Sequence, residues 1–253
     1  MGSTKHIFQV ASICVALSTT VQAQRHISHS RQDWLQLNLL FGREDAIGSR
    51  LDLSTRHVDG HPGMSQYLLR GGLTYGLPFG ISAVTGLARI RYFDDGRASR
   101  NEWRPYHDLS RSETLRGTQL QQRLRTEARF MNGLDASGAA SERQFDLRLR
   151  YRLQCQWTLA NLSQAHPDRM LLLTFGDELM VNPVHGPSNR FYSANRVMLS
   201  PTLRWGHTLD IALVLNHQFS ARSHEGDFES AEVLWLNITH RIARTSHPGH
   251  RRG

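Results

Sequence analysis

Two stretches near the middle of the chain allow little besides β-structure. In residues 119–130 the odd positions carry Gln119, Gln121, Arg123, Arg125, Glu127 and Arg129, while Leu120, Leu124, Ala128 and Phe130 fall on even ones. In residues 143–153 the parity reverses: Phe145, Leu147, Leu149, Tyr151 and Leu153 alternate with Asp146, Arg148, Arg150 and Arg152. Strict period two means extended strands, because successive Cβ atoms point to opposite faces. A helix would need apolar positions at three- and four-residue spacing, which neither stretch has. Each strand therefore has one apolar face and one face crowded with arginine and a few carboxylates. A wall with hydrocarbon on one side and water on the other shows this pattern. The expected fold is all-β, an antiparallel transmembrane β-barrel.

Residues 1–23 read as a separate unit. Lys5 gives a positive start, residues 7–17 form an apolar run, and Val21-Gln22-Ala23 has the small-residue pattern of a signal-peptidase site. Together they predict a cleaved secretory signal peptide, too short to span a bilayer as a helix. Lys5 is the only lysine, so the formal charge after cleavage is +8 − 1 = +7 and every mature cation of this class is arginine. Arginine stays charged whatever its surroundings and pairs carboxylates bidentately, which suits a confined polar interior. One cysteine, Cys155, remains, so no intramolecular disulfide is expected.

No composition shift or linker divides the rest, which is assigned as one barrel over 24–242 followed by a basic, His-containing tail, 243–253. No further apolar run approaches the roughly 20 residues of a spanning helix, and a membrane protein without such helices must be a closed barrel. Alternation marks eleven strands: 34–41, 49–56, 66–76, 81–92, 101–109, 119–130, 143–153, 170–180, 195–205, 209–219 and 231–242. In 81–92, Val84, Ala88, Ile90 and Tyr92 make the apolar face, against Arg89 and Arg91. Bacterial barrels have even strand numbers, so ten or twelve is expected, with 34–41 and 157–168 the doubtful places. The same rule puts both chain ends on the periplasmic side with the short links 77–80 and 206–208, and the longer loops 181–194 and 221–230 outside. Trp34, Phe41, Tyr92, Phe130, Phe145, Phe175, Trp205 and Phe219 lie near strand ends, as interfacial girdles do.

Several segments are similar to a family of bacterial outer-membrane barrels known as a domain of unknown function and described as porin-like. They are Leu69-Arg70-Gly71-Gly72-Leu73-Thr74-Tyr75, Glu102-Trp103-Arg104-Pro105-Tyr106, Arg123-Leu124-Arg125-Thr126-Glu127-Ala128-Arg129, Arg148-Leu149-Arg150-Tyr151-Arg152-Leu153, Asp177-Glu178-Leu179-Met180-Val181-Asn182 and Asn195-Arg196. Their order and spacing carry more than any one of them. Before the Asn-Arg pair the family usually has an aromatic, an acid and a glutamine, where this chain has Tyr192-Ser193-Ala194. The resemblance implies a barrel in the bacterial outer membrane and no substrate.

The candidate site is a charge ladder on the inward parity: Arg70, Arg104, Arg123, Arg125, Glu127, Arg129, Asp146, Arg148, Arg150, Arg152, Glu178, Arg196 and Arg204. It is either a polar lumen that attracts anions, since low-dielectric walls focus the field of fixed charges, or a packed network that closes the hole. A barrel of about eight strands is filled by its own side chains and one of sixteen or more leaves a channel. The expected partners are outer-membrane lipid and small anionic solutes. No enzymatic activity, cofactor or metal is expected. The alternatives are a lipid-modifying hydrolase and a scaffolding barrel. For a hydrolase the chain offers His217 and Ser220, on opposite faces of one strand, and the 26–30 pairings of histidine with serine, in a terminus expected to be flexible. His247 and His250 lie in the tail with no further ligand near. Nucleic-acid binding, suggested by the basic pI, is excluded because arginine is spread over nearly every strand instead of gathered in one patch.

Overall fold

The computed structural model describes residues 26–42, 47–184, 190–222, 224 and 226–242. The expected signal peptide, 1–23, and the expected basic tail, 243–253, lie outside the described residues. Within them the chain forms β1 (His26–Phe41), β2 (Gly48–Val58), β3 (Gln66–Leu77), β4 (Ile81–Asp94), β5 (Arg97–Leu115), β6 (Thr118–Leu134), β7 (Ala140–Asn161), β8 (Arg169–Val184), β9 (Tyr192–Trp205), β10 (Leu209–Ala221) and β11 (Asp227–Ile242). The only helical piece among them is a 3-10 turn at Pro78–Gly80. Each strand predicted from alternation is present, most of them longer than the apolar stripe that marked them.

The strands close into a ring in sequence order. Closure corrects the expected even count. Eleven strands running alternately up and down leave the first and last pointing the same way, so β1 and β11 pair in parallel, from His26 opposite Asp227 to Phe41 opposite Ile242. The other neighbouring pairs are antiparallel. His26 and Ile242 consequently lie at opposite ends of the barrel, contrary to the expectation of both on one side. Residues 26–30 are also strand, hydrogen-bonded beside β11, where a flexible terminus was expected.

Alternation sets the two sides of the wall. Leu69, Leu109, Leu124, Leu179, Leu215 and Leu234 point outward and are each between 44 and 49 % exposed. Asp52, Glu102, Asp108, Arg125, Glu127 and Glu178 point inward and are buried. This inverts the arrangement of a water-soluble protein, in which charged residues are almost never fully buried unless paired.

β4 reverses its expected orientation. Ile90 sits opposite Leu68 and Glu102, and Ala88 opposite Arg70 and Arg104, so the apolar side of this strand faces the lumen. Arg89 points outward, its guanidinium 5.3 Å from the Trp103 ring. The cause is space. The inward residues of β4 from Ser82 to Ala88 are small, and the Tyr106 side chain of β5 lies over Gly86. Gly86 is the tightest case: a Cβ there would stand 2.2 Å from the Gly71 carbonyl oxygen and 2.7 Å from the Tyr106 ring. Gly86→Ala should therefore destabilise the barrel by about 1–3 kcal/mol, the usual cost of overpacking. The fraction of folded, heat-modifiable protein recovered after refolding into detergent measures it.

Turn chemistry fixes the hairpins at both ends. The two-residue links Asp95-Gly96 and Arg116-Gly117 have positive φ at both positions, the type I′ geometry that matches strand twist. At 135–139 the Asp135 carboxylate accepts from the Ser137 hydroxyl and from the backbone N–H groups of Ser137 and Ala139. Those bonds hold its carboxyl below the usual range.

Candidate functional site

The inward faces of β5 to β9 build a layer of ion pairs across the middle of the lumen. Arg125 donates through Nε and Nη2 to the two oxygens of Asp108 at 2.5 and 2.6 Å. Arg129 forks onto Glu102 at 2.7 and 3.2 Å and reaches Asp146 at 3.1 Å. Glu178 is the most shared acceptor, taking Arg150 at 2.7 and 3.2 Å, Arg123 at 2.5 Å and Arg196 at 3.4 Å. Glu127 accepts from Arg150 at 2.9 Å and lies 3.4 Å from Arg104, which also binds Glu102. Bidentate, charge-assisted bonds of this kind are the strong ones, and a buried carboxylate needs them.

The opposite wall meets this layer with aromatic rings. Trp34 lies inside the barrel, packed with Ala231, Val233 and Trp235. The guanidinium of Arg56 sits 3.7 Å from its ring and that of Arg196 5.1 Å, so Trp34 links β1 and β2 to β9. Tyr92 is also inward, donating its hydroxyl to Glu102 at 2.8 Å. Both were expected in the interfacial girdle. Their alternation places them in the lumen instead, whereas Phe41, Phe130, Phe145, Phe175 and Trp205 of the same expected set are exposed on the outer surface.

All thirteen residues of the predicted ladder face inward, but they form three groups. Arg70 pairs with Asp52 at 2.6 Å on the β2–β3 wall, beside Arg50. Arg204 binds Asp210, shared with Arg241, near the end where β11 stops. Nine of the others make the central layer of ion pairs, and Arg148 and Arg152 lie beside it on β7. Asp52, Arg56, Glu102, Tyr106 and Asp108 lie on the same inward parity and are not among the thirteen. The same parity that found the arginines would have found them.

Cavities run the length of the lumen. At the end where β1 begins, a chamber of about 740 Å³ is lined by Gln32, Arg100, Gln144 and Glu229, among others. At the other end two chambers, of about 680 and 640 Å³, share Gln121, Arg152, Trp235 and Asn237. Between them lies a cavity of about 160 Å³. It shares Arg56, Gln66, Tyr92 and Gln218 with the first chamber, and Arg56, Arg104, Arg150 and Arg196 with the 680 Å³ one. The lumen therefore narrows to a waist walled by arginine.

Residues 31–229 match the family of proteins of unknown function designated DUF2490. The chain belongs to this family. No curated protein and no solved structure matches it. Every segment quoted for the resemblance falls inside the DUF2490 match, and each contributes an inward charge to the lumen. The repeated Arg-x-Arg and Glu-x-Arg spacings are what period two requires to put both charges on one wall.

His217 and Ser220 do not meet in the DUF2490 barrel. His217 faces outward, with Nε2 3.5 Å from the Ser230 hydroxyl, while Ser220 faces inward and accepts from Gln218. Among the described residues one trio, His61, Asp94 and Asp95, brings possible metal-ligating atoms within 4.8 Å of one another, and all three are exposed. His247 and His250 lie outside the described residues.

Proposed function

We propose that this protein is an outer-membrane β-barrel whose narrow, arginine-lined lumen draws and passes small anions. The observation that carries the reading is the series of cavities along the lumen that share the arginines of the waist. The membrane half rests on the outer surface. Leucine stripes recur on strands around the ring, far beyond the few hundred Å² of apolar patch a soluble monomer exposes. The shortest strand, β2, has 11 residues, enough for the roughly 9–11 a tilted strand needs to span. A predicted signal peptide supports the address.

The anion half rests on charge. Arg56 and Arg148 make no ion pair among the described residues, bonding only to Gln66 and Asn182 at 3.5 Å. A low-dielectric wall focuses their field into the passage. The reading assigns no reaction, cofactor or nucleic acid to the barrel. The ion-pair layer favours a second reading, a barrel closed at its waist.

Purified protein in planar bilayers should give small conductances with a reversal potential favouring chloride over potassium. Arg56→Gln with Arg148→Gln should reduce that preference, since neither change strands a carboxylate. A wild type that carries no current would make the closed barrel the correct reading, and a cation preference would overturn the charge argument.

A further inference from the structure

The 160 Å³ cavity at the waist has a wall of unusual composition. Six arginines line it, Arg56, Arg104, Arg129, Arg148, Arg150 and Arg196, and no carboxylate does. Four of the six are held by acids, namely Glu102, Glu127, Asp146 and Glu178. None of those acids faces the cavity. Arg56 and Arg148 have no acid, and the Nε of Arg56 is buried without a hydrogen-bond partner. Six positive charges against four negative ones leave an excess of two, 6 − 4 = 2, and Glu127 and Glu178 are further shared with Arg125 and Arg123. Buried cations in excess of their acids need either water or a counter-anion.

We propose that this cavity is a discrete binding site for a tetrahedral oxyanion of phosphate or sulfate type. The inference rests on the anion-drawing lumen and names the class of anion that stops there. Three features select it. The excess of two charges matches a dianion better than chloride. Guanidinium forks converging from several strands match oxygens arranged around a central atom, as in Arg–phosphate pairs. The volume holds roughly five waters at about 30 Å³ each, so a small oxyanion fits with part of its hydration. It is well below the roughly 300 Å³ at which drug-sized pockets begin, so the waist itself holds the oxyanion group and little else. Gln218, on the same wall, has a second amide N–H besides the one it gives to Ser220 and adds a neutral donor beside the charge.

The test is calorimetric titration of the detergent-folded full barrel with inorganic phosphate, repeated with sulfate and with chloride. Phosphate or sulfate should bind at one site, with chloride at least tenfold weaker. Arg148→Gln should weaken phosphate binding at least tenfold, and Arg56→Gln should do so independently should the first variant fail to fold. Arg31→Gln, which removes the same charge from an exposed outward pair, should leave affinity within about threefold of wild type, since a screened surface charge has little effect. Absence of phosphate binding, equal affinity for chloride, or equal loss in the Arg31 variant would each overturn the site. The bilayer measurement separates this from the broader reading. A barrel that conducts chloride but binds no phosphate loses only the site, and one that binds phosphate yet carries no current keeps the site and loses the pore.

Discussion

Leu149→Arg should prevent the barrel from assembling, whereas Arg148→Leu, one residue earlier, should leave it assembled. Leu149 points outward near the middle of β7, paired with Thr126 and Val181. In a membrane-spanning wall its replacement sets a guanidinium against hydrocarbon, at a cost of about 2–4 kcal/mol near the midplane. Arg148 points inward and strands no acid when removed, because its hydrogen-bond partner is the neutral Asn182. The readout is the amount of protein in the outer-membrane fraction that runs fast on a gel without boiling. Equal recovery of the two variants would mean that the outer wall does not meet lipid, and the membrane reading would fall.

That contrast also marks how far the sequence alone reaches. Period two located all eleven strands, because a residue on a thin wall has only two environments and the chemistry of this one differs sharply between them. It also placed every member of the charge ladder on the correct side. It failed where alternation is symmetric. β4 carries apolar residues on both faces, Val84, Ala88 and Ile90 inward and Ile81, Leu87 and Phe93 outward beside Arg89 and Arg91. Alternation defines two faces of a strand without saying which is inside, and only pairing decides it: Ala88 lies between Arg70 and Arg104. Trp34 and Tyr92 were misread for the same reason, since position along a strand suggested a girdle while parity put them in the lumen. The strand number was countable, but the rule of even barrels argued against the count. Parallel pairing of β1 with β11 removes that rule's premise that every neighbour is antiparallel.

The grouping of the ladder was the least legible part. Which arginine meets which acid depends on stagger between strands and on the reach of long side chains. Glu178, on β8, collects arginines from β6, β7 and β9, and no sequence spacing announces this. The cavity at the waist follows from the same stagger. The acids bind the arginines from positions outside its wall, so the wall presented to the passage carries cations alone.

Glu178→Ala should be the most damaging single change in the interior. The carboxylate is buried and bridges Arg123, Arg150 and Arg196. Removing one member of a buried ionic group leaves its partners uncompensated, at about 3–5 kcal/mol. Glu178→Gln should cost less, because the amide oxygen still accepts one of the forks while the charge is lost. Glu232→Ala should be silent by comparison, since that carboxylate and its partner Arg31 are both mostly exposed on the outer rim. Equilibrium unfolding in urea from lipid vesicles gives all three on one scale. A Glu178→Ala barrel within about 1 kcal/mol of wild type, the range of a solvated ion pair, would mean that water already shares these charges. The waist would then be wet enough to conduct, and the closed-barrel reading would lose the observation that favours it.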